Sequence, residues 1–587
     1  MLLGEKGALD AEIKSLYQRA GIAHVLAISG LHISLLGMGL YRLLRKRLHT
    51  RYVTAALATT VFLISYAVLS GNGVSTQRAV GMCLIYLFAD VTGYAYDMLN
   101  ALGIVVLVLL WENPFLLSYS GFVFSVMAVI AIGVGANVLL EWEHSWKRRQ
   151  QAGEETIKKT FFSRQKEGIL VSFAIQLFTI PLVAYSYYEI PVYAMLINLF
   201  VLAVVNGLLG LTVLGVIVGM AFLPAGRVLF APCGWMLDSY RFLCEVSLKI
   251  PGAQRITGKP AHMRIFWYYL GLGVFLLAIY ACARRNEKHK DCRETADLCV
   301  SRRKKRLQGI VFSCFIAFLL LFLLFPQKKS FEIDFLDVGQ GDGIYLCTGG
   351  GTSMFIDGGS TDVKQVGKYR ILPFLKAKGV SEISYWFVSH TDTDHVSGLK
   401  EVLVSGYRVE YLVFAKAVEK EAKTKELAEL ARSHGTKVLY MQAGDTVRSK
   451  RAAMRCLYPK AADKAEDVND LCLVLQFEEG DISALFGGDI STDVEEQLIR
   501  RRKWDKVLIF KADHHGSRYA NAEALLKCIR PEITVASAGK DNRYGHPSQD
   551  AVQRIKESGS RFFCTIEGGR IRVRVIENKL VCETYVK

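Results

Sequence analysis

The stretch Tyr385-Trp-Phe-Val-Ser-His-Thr-Asp-Thr-Asp-His395 decides the fold of the C-terminal half of this chain. Its first four residues are apolar, which predicts a buried strand. Four potential metal ligands follow within six residues, on the loop that leaves this strand: His390, Asp392, Asp394 and His395. Imidazole and carboxylate groups at this spacing can converge on two metal ions. A polar turn that caps the next helix is the alternative interpretation of this stretch taken alone.

Ligand-type side chains recur after three later apolar runs. These motifs are Phe486-Gly-Gly-Asp489, Asp513-His-His-Gly-Ser517 and Tyr544-Gly-His546-Pro547. Each run should bring its carboxyl end to one edge of a sheet, which is where ligands gather in α/β folds. A single histidine after a strand is usually a core or surface residue, but the repetition predicts one shared metal site. The thirteen cysteines show no Cys-x-x-Cys spacing, so we expect no cysteine metal site.

Short strands alternate with helical stretches after residue 330. This alternation predicts sheets with helices packed on their outer faces. The predicted strands are Phe331–Val338, Ile344–Cys347, Tyr385–Val388, Leu473–Phe477, Ala484–Phe486, Val507–Phe510 and Ile533–Ala536, and the predicted helices are Ala417–Ser433 and Val494–Arg501.

The N-terminal half has the composition of a membrane domain. At 587 residues the chain is too long for one hydrophobic core, because such cores stop growing near about 250–300 residues. Up to about Phe325, apolar runs alternate with short basic loops, whereas no later run approaches the roughly 18–20 residues that cross a bilayer. We therefore expect a polytopic α-helical membrane bundle at residues 1–327 and a separate domain at residues 328–587. The sequence has no P-loop motif, so we expect no ATPase in this chain.

Ten apolar runs are candidate membrane spans. The stretch Val228–Ile250 carries charges along its length and is interpreted as an amphipathic helix at the membrane interface. The candidate spans are His24–Leu40, Tyr52–Leu69, Ala79–Val91, Leu99–Trp111, Tyr119–Leu140, Gly168–Tyr185, Val192–Val205, Gly207–Phe222, Arg264–Cys282 and Gly309–Phe325.

Three strongly basic loops predict the topology. They are Arg42–Arg51, Lys147–Lys166 and Arg284–Arg306. The positive-inside bias places all three in the cytoplasm, and four candidate spans separate each pair of neighbours. The last span then delivers residues 330–587 to the outer face, so we expect this domain to be extracellular. The basic residues of these loops account for the net charge of +17. A binding site for an anionic partner would account for this charge equally well.

The motifs of both halves resemble known families. In the C-terminal half, Asp337-Val-Gly-Gln-Gly-Asp342, Phe355-Ile-Asp357-Gly-Gly, His390 to His395, Gly488-Asp489, His514-His-Gly-Ser517 and Gly545-His546-Pro547 resemble the metallo-β-lactamase superfamily. Within it they are most similar to the extracellular domain of the ComEC family of competence proteins, which internalise DNA. The membrane half resembles the same family through Ala20-Gly-Ile-Ala-His24, Ser29-Gly-Leu-His32, Gln77-Arg78-Ala, Asn113-Pro114, Ile180-Pro181 and Asn198.

The resemblance implies an αββα sandwich that holds a pair of divalent metal ions, Zn²⁺ or Mn²⁺. The implied metal ligands are His390, Asp392, Asp394, His395, Asp489 and His546, with Asp489 as the bridge. His390 and Asp392 would hold one ion, and Asp394 and His395 would hold the other together with His546. Because Asp392 stands where the superfamily usually has a histidine, its harder oxygen ligand suits manganese as well as zinc.

The resemblance also implies which residues act in catalysis: Asp394, Asp489, His514 and His515. A metal pair lowers the pKa of a shared water and so supplies a nucleophile for attack on phosphorus. His514 and His515 either bind metal or donate hydrogen bonds to the phosphate and the leaving oxygen. We expect Asp342 and Asp357 to fix the loops of the site rather than to bind metal.

Two features depart from the family pattern. The family usually has a further N-terminal segment with an OB-like extracellular domain, and this chain starts past it, either as a shortened member or because its first part is missing. The usual third-motif histidine is also absent. His434 is interpreted as a helix C-cap residue, and Asn469 occupies the region where that ligand would fall. We therefore expect one metal site to be the weaker.

Ionisable and polar residues inside apolar runs are costly and are therefore functional candidates. For a channel these are His24, Ser29, His32 and Arg78, followed by Asp90. A position at the end of a span, at the membrane interface, is the structural alternative for His24.

Two functions from different classes are compatible with the sequence. The first is DNA uptake across the plasma membrane in natural transformation, in which one strand is transported and an external metal-dependent nuclease degrades the other. A competence DNA receptor, a cytoplasmic helicase-type motor and further copies of the chain would be its partners. The second is a membrane-anchored metal-dependent phosphoesterase without a role in transport. Ten spans exceed what an anchor needs, which favours the first. A C-terminal domain that only binds DNA is a further alternative.

Overall fold

The computed structural model describes residues 11–25, 30–150, 161–288, 297–326, 329–577 and 579–586. The chain divides into two compact units, Met1–Phe325 and Pro326–Lys587. Unit 1 is built from helices, and unit 2 is built from two large sheets with helices.

Long helices with short connections form unit 1. Two three-residue strands, β1 (Glu189–Pro191) and β2 (Gln254–Ile256), pair antiparallel between them. The helices are α1 (Ala11–Ala20), α2 (Gly30–Ile33), α3 (Gly39–Lys46), α4 (Tyr52–Leu69), α5 (Val74–Thr92), α6 (Met98–Glu112), α7 (Ser120–Ile130), α8 (Asn137–Gln150), α9 (Phe161–Tyr187), α10 (Ala194–Ala221), α11 (Leu223–Lys249), α12 (His262–Lys288) and α13 (Asp297–Leu323).

Six helical segments in the described part of the chain are long and apolar enough to cross a membrane. They are Tyr52–Leu69, Ser120–Trp146, Lys166–Tyr187, Ala194–Ala221, His262–Arg285 and Arg303–Leu323. The segment Ser120–Trp146 joins α7 and α8 through a π-helical turn, Ala131–Ala136. These segments confirm the predicted polytopic helical half.

The prediction of ten separate spans is wrong in one place. Val192–Val205 and Gly207–Phe222 are one helix, α10, because Asn206 and Gly207 continue its backbone and lie on its exposed side. The candidates within α5 and α6 stay predictions: both are helices, neither is among the six segments, and α6 is a shorter apolar helix of 15 residues. In its described part, the candidate His24–Leu40 contains the 3-10 turn Ala23–Val25 and, from Gly30, a continuous helix through α2, the π-helical turn Ser34–Met38 and the start of α3. Residues 26–29 of this candidate lie outside the described residues.

Helices α10 and α11 form a hairpin joined by Phe222 alone. Gly219 and Gly226 bring the two helices together, since a Cβ at Gly226 would lie only 2.6 Å from the Cα of Gly219. Further along, the hydroxyl of Tyr240 donates to the Val201 carbonyl at 3.1 Å. The stretch Val228–Ile250 therefore belongs, up to Lys249, to a helix that packs lengthwise on a helix of membrane-spanning length.

Unit 2 contains fifteen strands and seven α-helices in its described part. The strands are β3 (Glu332–Phe335), β4 (Gly343–Cys347), β5 (Ser353–Asp357), β6 (Glu382–Phe387), β7 (Arg408–Ala415), β8 (Lys437–Met441), β9 (Thr446–Ser449), β10 (Ala452–Tyr458), β11 (Val474–Glu479), β12 (Ile482–Phe486), β13 (Ile509–Lys511), β14 (Ile533–Ala536), β15 (Arg561–Cys564), β16 (Arg570–Ile576) and β17 (Lys579–Tyr585). The helices are α14 (Leu372–Ala377), α15 (Thr393–Val404), α16 (Ala422–Ser433), α17 (Thr492–Arg501), α18 (Glu523–Ile529), α19 (Gln549–Glu557) and α20 (Thr565–Gly568).

The strands form two sheets packed face to face. The first has the order β17-β16-β3-β4-β5-β6-β7-β8, and the second has the order β15-β14-β13-β12-β11-β10-β9. Phe335 of the first sheet and Phe477 of the second belong to one core between the sheets. On the outer faces, Trp386 packs in a core with Leu399 of α15, and Phe510 packs in a core with residues of α17, α18 and α19. This layering confirms the predicted αββα sandwich.

The strand directions bring the ligand-bearing loops together. Strands β5 to β8 run parallel in the first sheet, and strands β12 to β15 run parallel in the second. The carboxyl ends of parallel strands share one edge of a sheet. The predicted site residues follow β6, β12, β13 and β14 at these edges.

Candidate metal centre

A buried carboxylate holds the loop after β6. The Ser389 N–H donates to Asp357 Oδ1 at 2.7 Å, and Asp357 Oδ2 lies 3.0 Å from His395 Nδ1. His395 Nε2 lies 3.4 Å from Asp489 Oδ2. Asp357 therefore fixes the orientation of the His395 ring, as carboxylates behind metal-binding histidines commonly do.

Four buried side chains form the first ligand group. Asp342, His395, Asp489 and His515 offer ligand atoms that all lie within 4.8 Å of one another. Asp489 Oδ2 is 3.3 Å from His515 Nε2, about as close as it is to His395. Two carboxylates with two imidazoles make a donor set that suits zinc and also harder divalent ions.

The second ligand group shares His395 with the first. His390, Asp394 and His395 offer ligand atoms within the same 4.8 Å limit. The ring centroids of His390 and His395 are 4.0 Å apart, and Asp394 Oδ2 lies 3.7 Å from His515 Nε2 of the first group. The two groups are therefore adjacent, as a metal pair requires.

Polar atoms at the centre of the site lack hydrogen-bond partners among the described residues. They are Asp342 Oδ1, His395 Nε2, Asp489 Oδ1 and His515 Nε2, and all are buried. Buried polar groups are normally satisfied, because each orphaned group costs about 1–3 kcal/mol. A divalent cation would satisfy these atoms together, so the residues present fit a metal ion.

The buried charges perturb one another strongly. Burial raises the pKa of Asp489, but the charges of His515 and His395 outweigh it and hold this pKa well below its ordinary value. Burial lowers the pKa of His515, but Asp489 and Asp342 outweigh it and raise this pKa to about 9. Asp489 and Asp357 likewise overcome burial to raise the pKa of His395 well above its ordinary value. The buried carboxylates therefore stabilise positive charge on or beside His395 and His515, and such strongly shifted pKa values are common at functional sites.

Asp392 lies outside both ligand groups. Its Oδ1 pairs with Lys423 Nζ at 2.9 Å, and its side chain is 44% exposed. Its Oδ2 is 4.0 Å from His390 Nε2. Metal binding by Asp392 stays a prediction, and Oδ2 is the oxygen on the side of His390.

His514 and His546 lie beside the first group. The His546 ring centroid is 5.5 Å from that of His514 and 6.3 Å from that of His515. The His546 Nδ1 is buried without a hydrogen-bond partner in the described structure, and burial with the charges of His515 and His514 lowers the pKa of His546 to about 4. His514 Nε2 lies 3.8 Å from Asp489 Oδ2, and its side chain is 32% exposed. His546 is therefore available as a neutral ligand, whereas His514 is accessible to a bound molecule.

Asp342, expected to fix a loop, is placed among the candidate ligands. Its Oδ2 pairs with Lys511 Nζ at 2.7 Å, and both side chains are only 1% exposed. Its Oδ1 lies 3.6 Å from His515 Nδ1. Sequence reasoning did not select Lys511. The available signal for Asp342 is its position at the end of a glycine-rich turn that follows a strand.

Cys472 is a further residue that the sequence did not single out. Its Sγ lies 3.4 Å from His390 Nδ1, and burial raises the pKa of the thiol well above its ordinary value. A single cysteine carries no paired spacing that could mark it. Cys472 lies three residues after Asn469, in the region where the usual third-motif histidine would fall. It therefore contacts His390 from the part of the chain that lacks this ligand. His434 ends α16 as a C-cap residue, as predicted.

Two of the predicted channel residues lie on packed helices of unit 1. His32 of α2 and Arg78 of α5 are both buried. Arg78 Nε donates to Ser125 Oγ at 2.7 Å. A Cβ at Gly30 would lie 3.5 Å from Arg78 Nη2, so the start of α2 lies against this guanidinium. Asp90 of α5 accepts a hydrogen bond from the Tyr41 hydroxyl at 2.5 Å. Outside the described residues lie Ser29 and the side chain of His24.

Comparison with protein families identifies the membrane half. Residues 1–281 match the family model of the Competence protein. This part of the chain is similar to the Competence protein family. The match confirms the resemblance to competence proteins that the motifs indicate.

Known competence proteins align along nearly the whole chain. ComE operon protein 3 of Bacillus subtilis is 26% identical over 98% of this chain and 70% of its own length. Recombination protein 2 of Haemophilus influenzae is 25% identical over 99% of this chain and 71% of its own length. Competence protein ComA of Neisseria gonorrhoeae is 23% identical over 97% and 73%.

Solved structures resemble part of the chain. The metallo-β-lactamase fold protein YhfI of Bacillus subtilis covers 41% of this chain with all of its own, at 11% identity and a TM-score of 0.30. Zn²⁺-bound PqqB of Methylobacterium extorquens covers 39% of this chain with 87% of its own, at 10% identity and a TM-score of 0.28.

Proposed function

We propose that this chain takes DNA across the plasma membrane during natural transformation, and that unit 2 is an external metal-dependent nuclease that degrades the strand not transported. The competence proteins that align with 97–99% of the chain support the role in transformation. The nuclease proposal rests on one observation, the two buried ligand groups that share His395.

The residues of the centre have distinct roles in this proposal. When bound, a divalent metal pair would supply Lewis-acid activation of water and would stabilise negative charge that develops on the phosphoryl and leaving oxygens. Asp489 provides negative charge between the rings of His395 and His515, and Asp357 fixes His395 from behind. His514 is the exposed member of the set, so it is placed to donate a hydrogen bond to a phosphate oxygen.

The test is hydrolysis of DNA by the purified chain in detergent. We expect cleavage after removal of bound metal to be negligible and to return with Zn²⁺ or Mn²⁺ at micromolar concentration. His434→Ala, on an exposed helix end outside the ligand groups, is the matched control and should cleave like the wild type. Absence of cleavage with either metal, in a chain that binds them stoichiometrically, would refute the nuclease proposal and favour a domain that only binds DNA.

A second measurement, the transformation frequency of a strain that lacks the chain, separates uptake from simple anchoring. A membrane-anchored phosphoesterase would cleave DNA or a small phosphodiester while its deletion left transformation unchanged. Six apolar segments are more than one anchor requires, which favours transport. A competence DNA receptor, a helicase-type motor and self-association remain proposals, testable by crosslinking in competent cells.

A further inference from the structure

Unit 2 contains two Arg–Tyr dipeptides, and both lie on loops of the metal centre. Arg518-Tyr519 follows the His514-His515 pair, and Arg543-Tyr544 precedes His546. Tyr519 is 72% exposed and Tyr544 is 50% exposed. Each of two neighbouring loops thus carries an exposed aromatic ring beside a guanidinium group. Neither metal binding nor core packing accounts for this arrangement.

The ring of Tyr544 is connected directly to the metal centre. It stacks on the His546 ring with centroids 5.7 Å apart and planes inclined by 24°. The His546 ring in turn lies 5.5 Å from His514. A molecule that binds to Tyr544 therefore lies next to His546, one of the candidate metal ligands.

Hydrogen bonds hold the loop of Tyr544 in a defined shape. Asn542 Oδ1 accepts from the backbone N–H groups of Tyr544 at 3.2 Å and His546 at 3.0 Å. Asn542 Nδ2 donates to the carbonyls of His546 at 2.6 Å and Gly539 at 2.8 Å. The exposed ring therefore projects from a backbone that is already ordered, which lowers the entropic cost of binding.

The backbone of Tyr519 is fixed in the same way. Thr492 donates to the Tyr519 carbonyl twice, from its N–H at 3.0 Å and from its hydroxyl at 2.7 Å. The Tyr519 N–H donates to Ser517 Oγ at 3.3 Å. Both tyrosines are therefore exposed side chains on anchored loops.

The two arginines supply charge at the same rim. Arg518 and Arg543 are exposed, and within the described part of the chain neither guanidinium pairs with a carboxylate. Arg543 instead contacts the adjacent ring: its Nη2 lies 2.7 Å from the Tyr544 hydroxyl and its guanidinium carbon lies 4.9 Å from the ring centroid. A base that stacks on Tyr544 therefore displaces this guanidinium towards the phosphates. Exposed guanidinium groups without a carboxylate partner are suited to phosphate.

We infer that the two Arg–Tyr pairs form a binding subsite for an unpaired DNA strand at the rim of the metal centre, an inference that rests on the proposed nuclease function. Tyr519 and Tyr544 stack with bases, and Arg518 and Arg543 contact the backbone phosphates. Stacking on an aromatic ring requires a base with a free face, which a single strand offers at every position and a duplex only at its ends. The four ligands of the first group are buried, so a flexible strand also reaches them more easily than a rigid duplex does.

Binding to the full-length chain in detergent tests the subsite. The probes are a fluorescein-labelled 20-nucleotide oligothymidine and a labelled 20-base-pair duplex, both in the presence of a chelator so that no cleavage occurs. We expect the double variant Tyr519→Ala/Tyr544→Ala to lose at least about 10-fold in affinity for the single strand and less than twofold for the duplex. The double Phe variant should bind both like the wild type, since the rings are retained.

The control is Tyr585→Ala, which removes a tyrosine with Arg570 over its ring on the edge strand β17, outside the ligand-bearing loops. It should bind both probes like the wild type. Replacing Arg518 and Arg543 by Ala should weaken both probes and reduce the salt dependence of binding.

Single-strand affinity within twofold of the wild type in the double Ala variant would overturn the subsite. Equal losses for single strand and duplex would also overturn it. These outcomes are distinct from failure of the nuclease proposal: a chain that binds single strands through the tyrosines but cleaves no DNA with any metal refutes the nuclease and leaves the subsite in place.

Discussion

At the scale of single residues, His395 joins the two ligand groups. Its Nδ1 contacts Asp357 and its Nε2 approaches Asp489. The His395 ring therefore connects Asp357, which lies behind the site, to Asp489 at the centre of the site. The local motif predicted His395 and Asp394 because these ligands are neighbours in sequence. Asp342 could not be assigned in this way, because its placement depends on the buried Lys511, which no local pattern connects to it.

Replacing Asp489 or Asp394 by Ala should remove metal-dependent cleavage. Each change deletes a carboxylate of a ligand group, and a loss of about 3 kcal/mol of transition-state stabilisation corresponds to about 100-fold in rate. We expect kcat/KM for DNA to fall at least about 100-fold, and the rise in unfolding temperature on adding metal to shrink. Wild-type cleavage by Asp489→Ala with full metal content would reject the assignment.

Asp342 and Lys511 can be tested together. Asp342→Ala should lower metal affinity about 10–100-fold, and it should destabilise unit 2 by about 3–5 kcal/mol because it leaves a buried ammonium without its partner. Adding Lys511→Met should restore much of the stability but none of the metal affinity. Calorimetry of unfolding and metal titration measure the two effects separately. Metal affinity that recovers with stability would assign Asp342 to the loop-fixing role expected from the sequence.

At the scale of elements, helix packing decides what apolar runs cannot. The sequence predicted two short spans on either side of Asn206, yet the backbone continues through this residue as α10. A polar residue such as Asn206 interrupts an apolar run in the sequence, but it does not end the helix. The packing of α11 along α10 shows that the helix is continuous. Seven of the fifteen described strands of unit 2 (β3, β4, β6 and β11 to β14) were predicted, because their apolar runs are followed by ligands or glycines that mark the carboxyl end, whereas the other eight were not.

We expect DNA transport to be most sensitive to substitutions at the contact between α2 and α5 of unit 1. His32 and Arg78 are buried on these helices, and an ionisable group inside an apolar helix is kept where function needs it. His32→Ala and Arg78→Ala should each reduce transformation at least about 100-fold. Membrane insertion and DNA cleavage by the purified variants should be unchanged. Arg241→Ala, at an exposed ion pair with Glu245 on α11, is the control, and unimpaired transformation by both test variants would return them to a structural role.

At the scale of the whole molecule, the pairing of β1 with β2 constrains the topology of unit 1. The two strands follow α9 and α11, and their pairing places both connections on one side of the membrane. The hairpin of α10 and α11 must therefore leave that side and return to it. Since α10 is of spanning length, we propose that α11, which is not among the six apolar segments, also crosses instead of lying at the interface as the sequence predicts. At 27 residues, α11 is about 40 Å long, which exceeds a hydrocarbon core of about 30 Å.

If α11 crosses, four crossings, by α9, α10, α11 and α12, separate the basic segments Lys147–Lys166 and Arg284–Arg306, and the positive-inside bias then predicts that both are cytoplasmic. The turn at Phe222 should be cytoplasmic, the β1–β2 connections should be external, and α13 should deliver unit 2 to the outer face. Alkaline phosphatase fusions after Gly258 and Phe325 should be active, whereas one after Phe222 should be inactive and a fluorescent-protein fusion there should fluoresce. Protease added to intact cells should cleave unit 2. The same reporter signal after Phe222 and after Gly258 would return α11 to the interface, and protection of unit 2 would exclude an external nuclease.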